Sequence, residues 1–353
     1  MQPKHSVSGV VLLGLAAMVC LGLGLLTVST PAQQGPSGYH LVKKVNLGGE
    51  GFWDYLTIDS ASRRLFISRG THVMVVDADN GSAVGDIPDT EGVHGVALAP
   101  DLGRGFTSNG RANTVTIFDL QTLKPIGSAK TGQNPDAILY DPASHRVFTF
   151  NGRSGDATAI DATTGVVAGT VALGGKPEFA TADGMGRVYV NIEDKSELVA
   201  LDSRALTVAN RWPLAPCEEP SGMAIDAAHA RLFSGCRNRM MTVVDAKSGK
   251  VVATPPIGQG VDSNRFDAAT GLAFASCGDG TLTVVHQDSP DKYTVVENVG
   301  TQRGARTMEL DPKTHNLYLV TAEFGPPPEA TPENPRPRST LVPGSFTLLI
   351  LSR

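Results

Sequence analysis

Short apolar runs alternate with turn-forming residues along most of the chain, and the clearest example lies at residues 135–176. Within it, four runs at 137–140, 146–150, 157–160 and 166–173 are separated by segments rich in Asp, Asn, Ser, Thr and Gly. Runs of this length rich in Val, Ile, Phe and Tyr, bounded by such segments, predict β-strands. The stretch is therefore predicted to form one four-stranded antiparallel unit, which cannot bury both of its faces alone.

This unit recurs along the chain. The residues that end the third predicted strand are spaced 41 to 43 positions apart, and an aromatic residue marks each second strand in step with them. The first series is Asp77, Asp119, Asp161, Asp202, Asp245 and His286, and the second is Phe66, Phe106, Phe148, Tyr189, Phe233, Phe274 and Tyr318. A period of about 40 to 45 residues with four strands per repeat is typical of a β-propeller. We therefore predict an all-β fold, a seven-bladed β-propeller with four-stranded antiparallel blades.

The N-terminal strand is predicted to complete the last blade. The seventh repeat starts at Ala305 and has its third strand at residues 346–351, after which no fourth apolar run follows. The run at 39–47 resembles a fourth strand and precedes the first full repeat at Trp53. Pairing these two runs closes the ring and removes the exposed sheet edges that an open sheet must protect.

Two turn motifs recur within the repeats. They are clearest in Asn134-Pro135-Asp136, in Tyr140-Asp141-Pro142, and in Val243-Val244-Asp245-Ala246-Lys247-Ser248-Gly249-Lys250. In this respect the chain resembles the YVTN-type repeats of the YncE-like β-propeller family, and the resemblance covers essentially everything after residue 38. It implies an exported propeller. Because these motifs consist of turn and packing residues, they are specific for the fold and say little about a reaction.

The N-terminal segment has the pattern of a targeting sequence. Lys4 and His5 precede a mostly apolar run at 10–28, and small residues follow up to Ala32. We expect residues 1–32 to be a cleaved signal peptide. The alternative is an uncleaved membrane anchor, because a run of this length just suffices to span a bilayer. Either way, residues 33–353 are expected to form a single propeller domain in the periplasm or the extracellular space.

Charge and missing motifs narrow the function classes. The formal net charge of −5 argues against a general nucleic-acid binder. The sequence also contains no phosphate-cradling Gly loop, no G-x-S-x-G elbow, no H-E-x-x-H motif and no C-x-x-C-H haem site. A membrane contact is expected only through the N-terminal segment, if it is retained.

Three cysteines lie in the predicted propeller. The predicted hairpin of the fifth repeat places Cys217 opposite the end of the second strand, close to Cys236, so a disulfide between them is plausible in an oxidising compartment. Cys277 occupies the same repeat position as Cys236, one blade later. A Cys236–Cys277 pair is therefore a competing possibility.

Polar residues dominate the position at which each first strand begins. In blade order they are Asp54, His94, Asp136, Glu178, Ser221, Asp262 and Arg306. Four from consecutive blades, Asp54, His94, Asp136 and Glu178, are candidate ligands for one divalent cation (Ca²⁺, Mn²⁺ or Zn²⁺) at the channel mouth. The alternative is a solvated polar ring that fills a wet channel without a metal.

Basic residues recur in the loops between second and third strands. These loops are expected on the same face of the propeller as the polar ring at the channel mouth. They are Arg69, Arg111, Arg153, Lys195, Arg237 and Arg239. Arg makes forked contacts to carboxylate and phosphate groups, so this arc is a candidate site for a small anion or a protein partner. The alternative is that these side chains pair with the inner carboxylates or keep the loops soluble.

The last blade carries a proline-rich insertion at 325–344, between its second and third strands. It cannot form a strand ladder, and it lies on the face of both rings, where it can act as a lid or dock a partner. The favoured function is thus an exported binding or scaffold protein whose ligand or partner binds at the channel mouth. The alternative is a metal-dependent hydrolase or lactonase, with Asn109 or Asn151 as a further metal ligand and His94 as ligand or base.

Overall fold

Twenty-eight β-strands provide nearly all the regular structure in the part of the chain that the computed structural model describes, residues 37–329, 331, 337 and 339–353. The predicted targeting segment, residues 1–32, lies outside the described residues, as does part of the proline-rich insertion. The described helical structure consists of two short 3-10 turns, Pro100–Leu102 and Glu193–Lys195. No helix in these ranges has the length and apolar character needed to cross a membrane.

The strands form seven four-stranded antiparallel sheets in the described ranges, and each sheet is one blade. Blade 1 contains β2 (Leu56–Asp59), β3 (Arg64–Ser68), β4 (Val73–Asp77) and β5 (Ala83–Ile87), and blade 2 contains β6 (Val93–Ala99), β7 (Arg104–Asn109), β8 (Thr114–Asp119) and β9 (Pro125–Lys130). Blade 3 contains β10 (Pro135–Asp141), β11 (Arg146–Asn151), β12 (Asp156–Asp161) and β13 (Val167–Ala172), and blade 4 contains β14 (Pro177–Ala182), β15 (Arg187–Ile192), β16 (Glu197–Asp202) and β17 (Thr207–Pro213). Blade 5 contains β18 (Pro220–Asp226), β19 (Arg231–Cys236), β20 (Met240–Asp245) and β21 (Val251–Ala253), and blade 6 contains β22 (Val261–Asp267), β23 (Leu272–Cys277), β24 (Thr281–Ser289) and β25 (Lys292–Gly300).

Blade 7 combines both ends of the described chain. It contains β26 (Met308–Leu310), β27 (Leu317–Thr321) and β28 (Thr347–Ser352), and β1 (His40–Asn46) is its outer strand. β1 and β28 are antiparallel, with His40 opposite Ser352 and Asn46 opposite Thr347. The predicted seven-bladed propeller, closed by an N-terminal strand, is therefore confirmed.

The blades pack side by side around a channel. First strands of neighbouring blades contact one another around the ring, and β2 contacts β26 where the ring closes. Seven apolar clusters occur among the described residues, and each combines side chains of two neighbouring blades. At one such interface the ring centroids of Phe66 and Phe118 are 6.0 Å apart. The second-strand aromatics predicted from the repeat are at most 6% exposed, so the period of the sequence marks the layer that joins the blades.

Aspartates at the ends of third strands form the turns to the fourth strands. The Asp161 Oδ1 atom accepts hydrogen bonds from the backbone N–H groups of Thr163 (3.0 Å) and Thr164 (2.7 Å). Asp245 makes the same bonds to Lys247 and Ser248. An Asp side chain stabilises a tight turn in this way, so this series is structural.

A disulfide joins Cys217, in the loop that enters blade 5, to Cys236 at the end of β19, with the two Cα atoms 5.4 Å apart. Cys277 is a buried free thiol, so the competing Cys236–Cys277 pair is not formed. Burial raises the pKa of the Cys277 thiol to about 12. A thiol in this state is unreactive, which makes it a packing residue.

The proline-rich insertion leaves blade 7 through a short antiparallel neck. Phe324 and Leu341 form an isolated β-bridge, and the Gly325 N–H donates to the Thr340 carbonyl oxygen at 2.8 Å. These contacts join the two sides of the neck at the base of the insertion.

Candidate functional site at the channel mouth

Serines on the second strands position the start of the first strands. The Asp54 N–H donates to Ser68 Oγ, and the Gly95 N–H donates to Ser108 Oγ, each at 2.9 Å. Ser108 Oγ also donates to the Asp136 carbonyl of the next blade. These serines stand two residues after the buried second-strand aromatic, a recurring spacing that the sequence analysis did not use.

Three of the four predicted cation ligands converge at the mouth. His94 Nδ1 lies 2.6 Å from Asp54 Oδ2 and 3.6 Å from Asp136 Oδ1. The three ligand atoms, one from each of three consecutive blades, all lie within 4.8 Å of one another. The side chains are only partly exposed, at 28% for His94, 27% for Asp54 and 16% for Asp136. Two carboxylates and an imidazole at this spacing are a suitable donor set for a divalent cation.

The protonation of this group follows from its burial and charge. Burial by itself lowers the pKa of His94, but the hydrogen bond to Asp54 and the charges of Asp136, Asp54 and Glu178 outweigh it and raise this pKa to about 9. Burial raises the pKa of Asp136 to about 6 and also raises that of Asp54. The imidazolium is therefore the favoured form of His94 at neutral pH, and a bound cation would replace one of its ring protons.

The fourth predicted ligand, Glu178, is not part of this group of three. Its carboxylate lies 2.6 Å from Lys176 Nζ, which also pairs with Glu193. Burial and the charge of Asp136 raise the pKa of Glu178 to about 8, against the opposing charge of Lys176. Lys176 was missed in the sequence analysis because it lies two residues before the polar ring position.

Two further predicted ring members form a pair of their own. Asp262 pairs with Arg306, whose Nε lies 3.5 Å from Asp262 Oδ2. Burial raises the pKa of Asp262 although the charge of Arg306 opposes the shift. The predicted ring thus divides into a cation-ligand group and a separate ion pair.

An aromatic and ionic layer lies next to the ring. The Tyr55 and Phe179 ring centroids are 4.9 Å apart, although the two residues belong to blades 1 and 4. The Arg265 guanidinium lies 5.0 Å from the Phe179 ring and pairs with Glu309, with Nε 2.8 Å from Oε1. The Tyr55 hydroxyl also contacts the Asp136 carboxylate. Side chains therefore bridge the channel beside the site. The sequence analysis assigned none of them a role.

The predicted arginine arc is divided by the structure. Arg111 and Arg153 are exposed and line a cavity of about 520 Å³ together with Asp54 and His94. Arg237 is also exposed, but it pairs with Glu219 at 2.5 Å. Of these three arginines, Arg111 and Arg153 are placed to contact a ligand beside the cation-ligand group.

Arg69 departs from its predicted place in the arc. Its side chain is 1% exposed, its Nη2 donates to the Glu50 carbonyl at 2.9 Å, and its guanidinium lies 3.6 Å from the centre of the Phe346 ring. Burial lowers its pKa to about 10. Arg69 therefore supports the loop that precedes blade 1.

Asn109 and Asn151, named as further ligands in the hydrolase alternative, are buried and already hydrogen-bonded. Asn109 Nδ2 donates to Thr116 Oγ1 at 2.9 Å, and Asn151 Nδ2 donates to Thr158 Oγ1 at 3.0 Å. Neither belongs to the group of potential metal ligands. They connect the second and third strands of their blades.

Comparisons with known proteins support the fold. No protein-family profile and no curated protein matches the chain. A chain in the crystal structure of the Mitotic Checkpoint Complex aligns with a TM-score of 0.73 and 13% identity, over 96% of this chain and 99% of that one. Hydrazine synthase of Kuenenia stuttgartiensis aligns with a TM-score of 0.65 and 16% identity, over 79% of this chain and 94% of that one. At these identities the similarity shows the fold alone, a WD40-like seven-bladed β-propeller.

Proposed function

We propose that this protein is an exported binding protein of the YncE-like kind that holds a divalent cation at the channel mouth. The observation that carries the proposal is the convergence of Asp54, His94 and Asp136 within 4.8 Å. Imidazole suits Zn²⁺, whereas Ca²⁺ takes oxygen ligands. The donor set therefore favours Zn²⁺ or Mn²⁺ over Ca²⁺. The hydrolase or lactonase alternative has no separate support among the described residues, so binding is the function we propose.

Two features support the cellular location and the family. The N-terminal sequence has the successive basic, apolar and small-residue regions of a signal peptide. Disulfides such as Cys217–Cys236 persist in oxidising compartments. The repeat motifs support the YncE-like assignment. Expression of the full chain in a bacterium, followed by fractionation and N-terminal sequencing, tests the location. We expect an exported protein that begins at residue 33, and a cytoplasmic product that retains Met1 would contradict the proposal.

The cation site is tested by titrating metal-free protein (residues 33–353) with Zn²⁺ and Mn²⁺ in a calorimeter. We expect one equivalent to bind, and Asp136→Asn to weaken binding by at least about 100-fold, because loss of a mere outer-shell partner of a ligand already costs up to about that much. The matched control is Asp262→Asn, a ring aspartate outside the ligand group, which should bind like the parent. The absence of stoichiometric binding, or equal binding by Asp136→Asn, would refute the site.

A further inference from the structure

We propose that a second cavity at this mouth, beside the neck of the proline-rich insertion, binds an organic anion with a flat apolar body. This inference goes beyond the cation site and does not depend on it. The cavity has a volume of about 950 Å³, which is within the range of small-molecule sites. Its lining combines apolar and cationic residues, among them Phe52, Trp53, Arg303, Arg306, Phe324 and Leu341.

Aromatic rings form one side of the cavity. The Trp53 ring centroid lies 6.5 Å from that of Phe324 and 5.3 Å from that of Phe346, and Trp53 packs against the core between blades 7 and 1. Phe52 is 77% exposed beside them. A large exposed aromatic next to a concave apolar wall is typical of a binding surface.

A glycine allows the Phe324 ring to reach its position. Gly304 has a φ of +81°, and a Cβ atom there would lie 2.6 Å from Cε2 of Phe324. A larger residue would be strained and would displace the ring. The loop that enters β26 is therefore closely packed against the insertion neck. The backbone hydrogen bond from Gly325 to Thr340 stabilises this wall of the cavity before any ligand binds.

Charge complementarity determines the class of ligand. No hydrogen bond or ion pair to the Arg303 guanidinium occurs within the described ranges, where its contact is with the Phe324 ring, 5.7 Å away. Arg306 pairs with Asp262 yet stays 57% exposed. Two guanidinium groups beside aromatic walls are complementary to a carboxylate, sulfonate or phosphate attached to a flat apolar body.

Two fluorescent probes with nearly the same aromatic body test this. One is 8-anilinonaphthalene-1-sulfonate, and the other is N-phenyl-1-naphthylamine, which lacks the sulfonate. We expect the sulfonate probe to bind the folded protein more tightly than the neutral one. Arg303→Gln should weaken the sulfonate probe by about 10-fold, the loss expected for one charge-assisted hydrogen bond, and should leave the neutral probe unchanged.

Three further variants complete the test. Phe324→Ala should weaken both probes, because it removes the shared aromatic wall. Arg237→Gln, an exposed arginine outside the cavity, should match the parent. Asp136→Asn should weaken cation binding and leave probe binding unchanged, which separates failure of this inference from failure of the cation site. Equal sulfonate binding by the parent and Arg303→Gln, or neutral binding as tight as sulfonate binding, would overturn the proposal.

Discussion

His94 of blade 2 places its Nδ1 atom 2.6 Å from Oδ2 of Asp54 in blade 1, forty residues earlier in the chain. The two residues occupy the same position in successive repeats, so a repeat that builds the fold also brings unlike side chains together. Here the pair joins a proton donor to an acceptor at the channel mouth. The imidazolium offsets the repulsion between Asp54 and Asp136, and a cation would have to displace its proton.

The His94 imidazole is expected to titrate near pH 9 in the metal-free protein. Its folded pKa is raised above the unfolded value, so its stabilising contribution is complete below about pH 6.5 and is lost as the pH rises to about 9. Asp54→Asn should shift the titration towards about 6.5, because the hydrogen-bonded carboxylate is removed. NMR of the imidazole carbons measures it. Asp262→Asn is the control, and an unchanged titration in Asp54→Asn would contradict the assignment.

Glu178 should make the propeller less stable in alkaline solution. Its folded pKa is raised to about 8, so the protonated form is favoured in the folded state, and stability falls as the pH rises from about 4.5 to about 8. Glu178→Gln cannot lose free energy of unfolding in this way. Compared with the parent, its free energy of unfolding should therefore improve by on the order of 3 kcal/mol between pH 5 and pH 8. Urea unfolding at both pH values measures it.

The control for that experiment is Glu197→Gln, which removes a carboxylate paired with Arg211 on the outer strands. It should change stability by a similar amount at both pH values. If Glu178→Gln showed the same pH dependence as the parent, the burial of this carboxylate would not govern its titration.

Reduction of Cys217–Cys236 should destabilise blade 5. The bond closes a loop with a sequence separation of 19 residues, and such a cross-link contributes roughly 3 kcal/mol. Thermal unfolding with and without dithiothreitol measures this. The reductant should lower the melting temperature of the parent to that of Cys217→Ala/Cys236→Ala and leave the double variant unchanged. A melting temperature of the parent that the reductant leaves unchanged would contradict a stabilising role.

The β1 strand should be indispensable for a closed ring. A chain that begins at residue 49 lacks β1 and leaves the edge of β28 opposite β27 unpaired, which favours association between chains. Size-exclusion chromatography should show aggregates or a much lower yield of monomer. A chain that begins at residue 37 keeps β1 and is the control. A stable monomer from the shorter chain would show that blade 7 needs only three strands.

The repeat predicted the backbone well because its signals are local. Alternating apolar residues and turn residues specify strands, and the second-strand aromatics specify which layer is buried. Convergence of Asp54, His94 and Asp136 also followed from their equivalent positions. The exclusion of Glu178 did not, because it depends on how Lys176 folds back onto the carboxylate.

Arg69 shows how an error of alignment changes a predicted role. It stands three residues after its second-strand aromatic, as Asn109 and Asn151 do, and all three are at most 1% exposed. Arg111 and Arg153 stand five residues after theirs and are exposed. Counting from the aromatic separates the buried position from the exposed one. Arg303 stands in the loop that enters blade 7, three residues before the polar ring position, and the sequence analysis did not compare that position across the repeats.

The pairing of β1 with β28 also determines when the protein can complete its folding. The ribosome makes β1 first among these strands and β28 last, so six blades' worth of chain must emerge before the outer strand of blade 7 finds its partner. Products that lack the last few C-terminal residues would lose the strand that pairs with β1. Blade 7 would then be incomplete, and its loosened strands would be accessible to proteases.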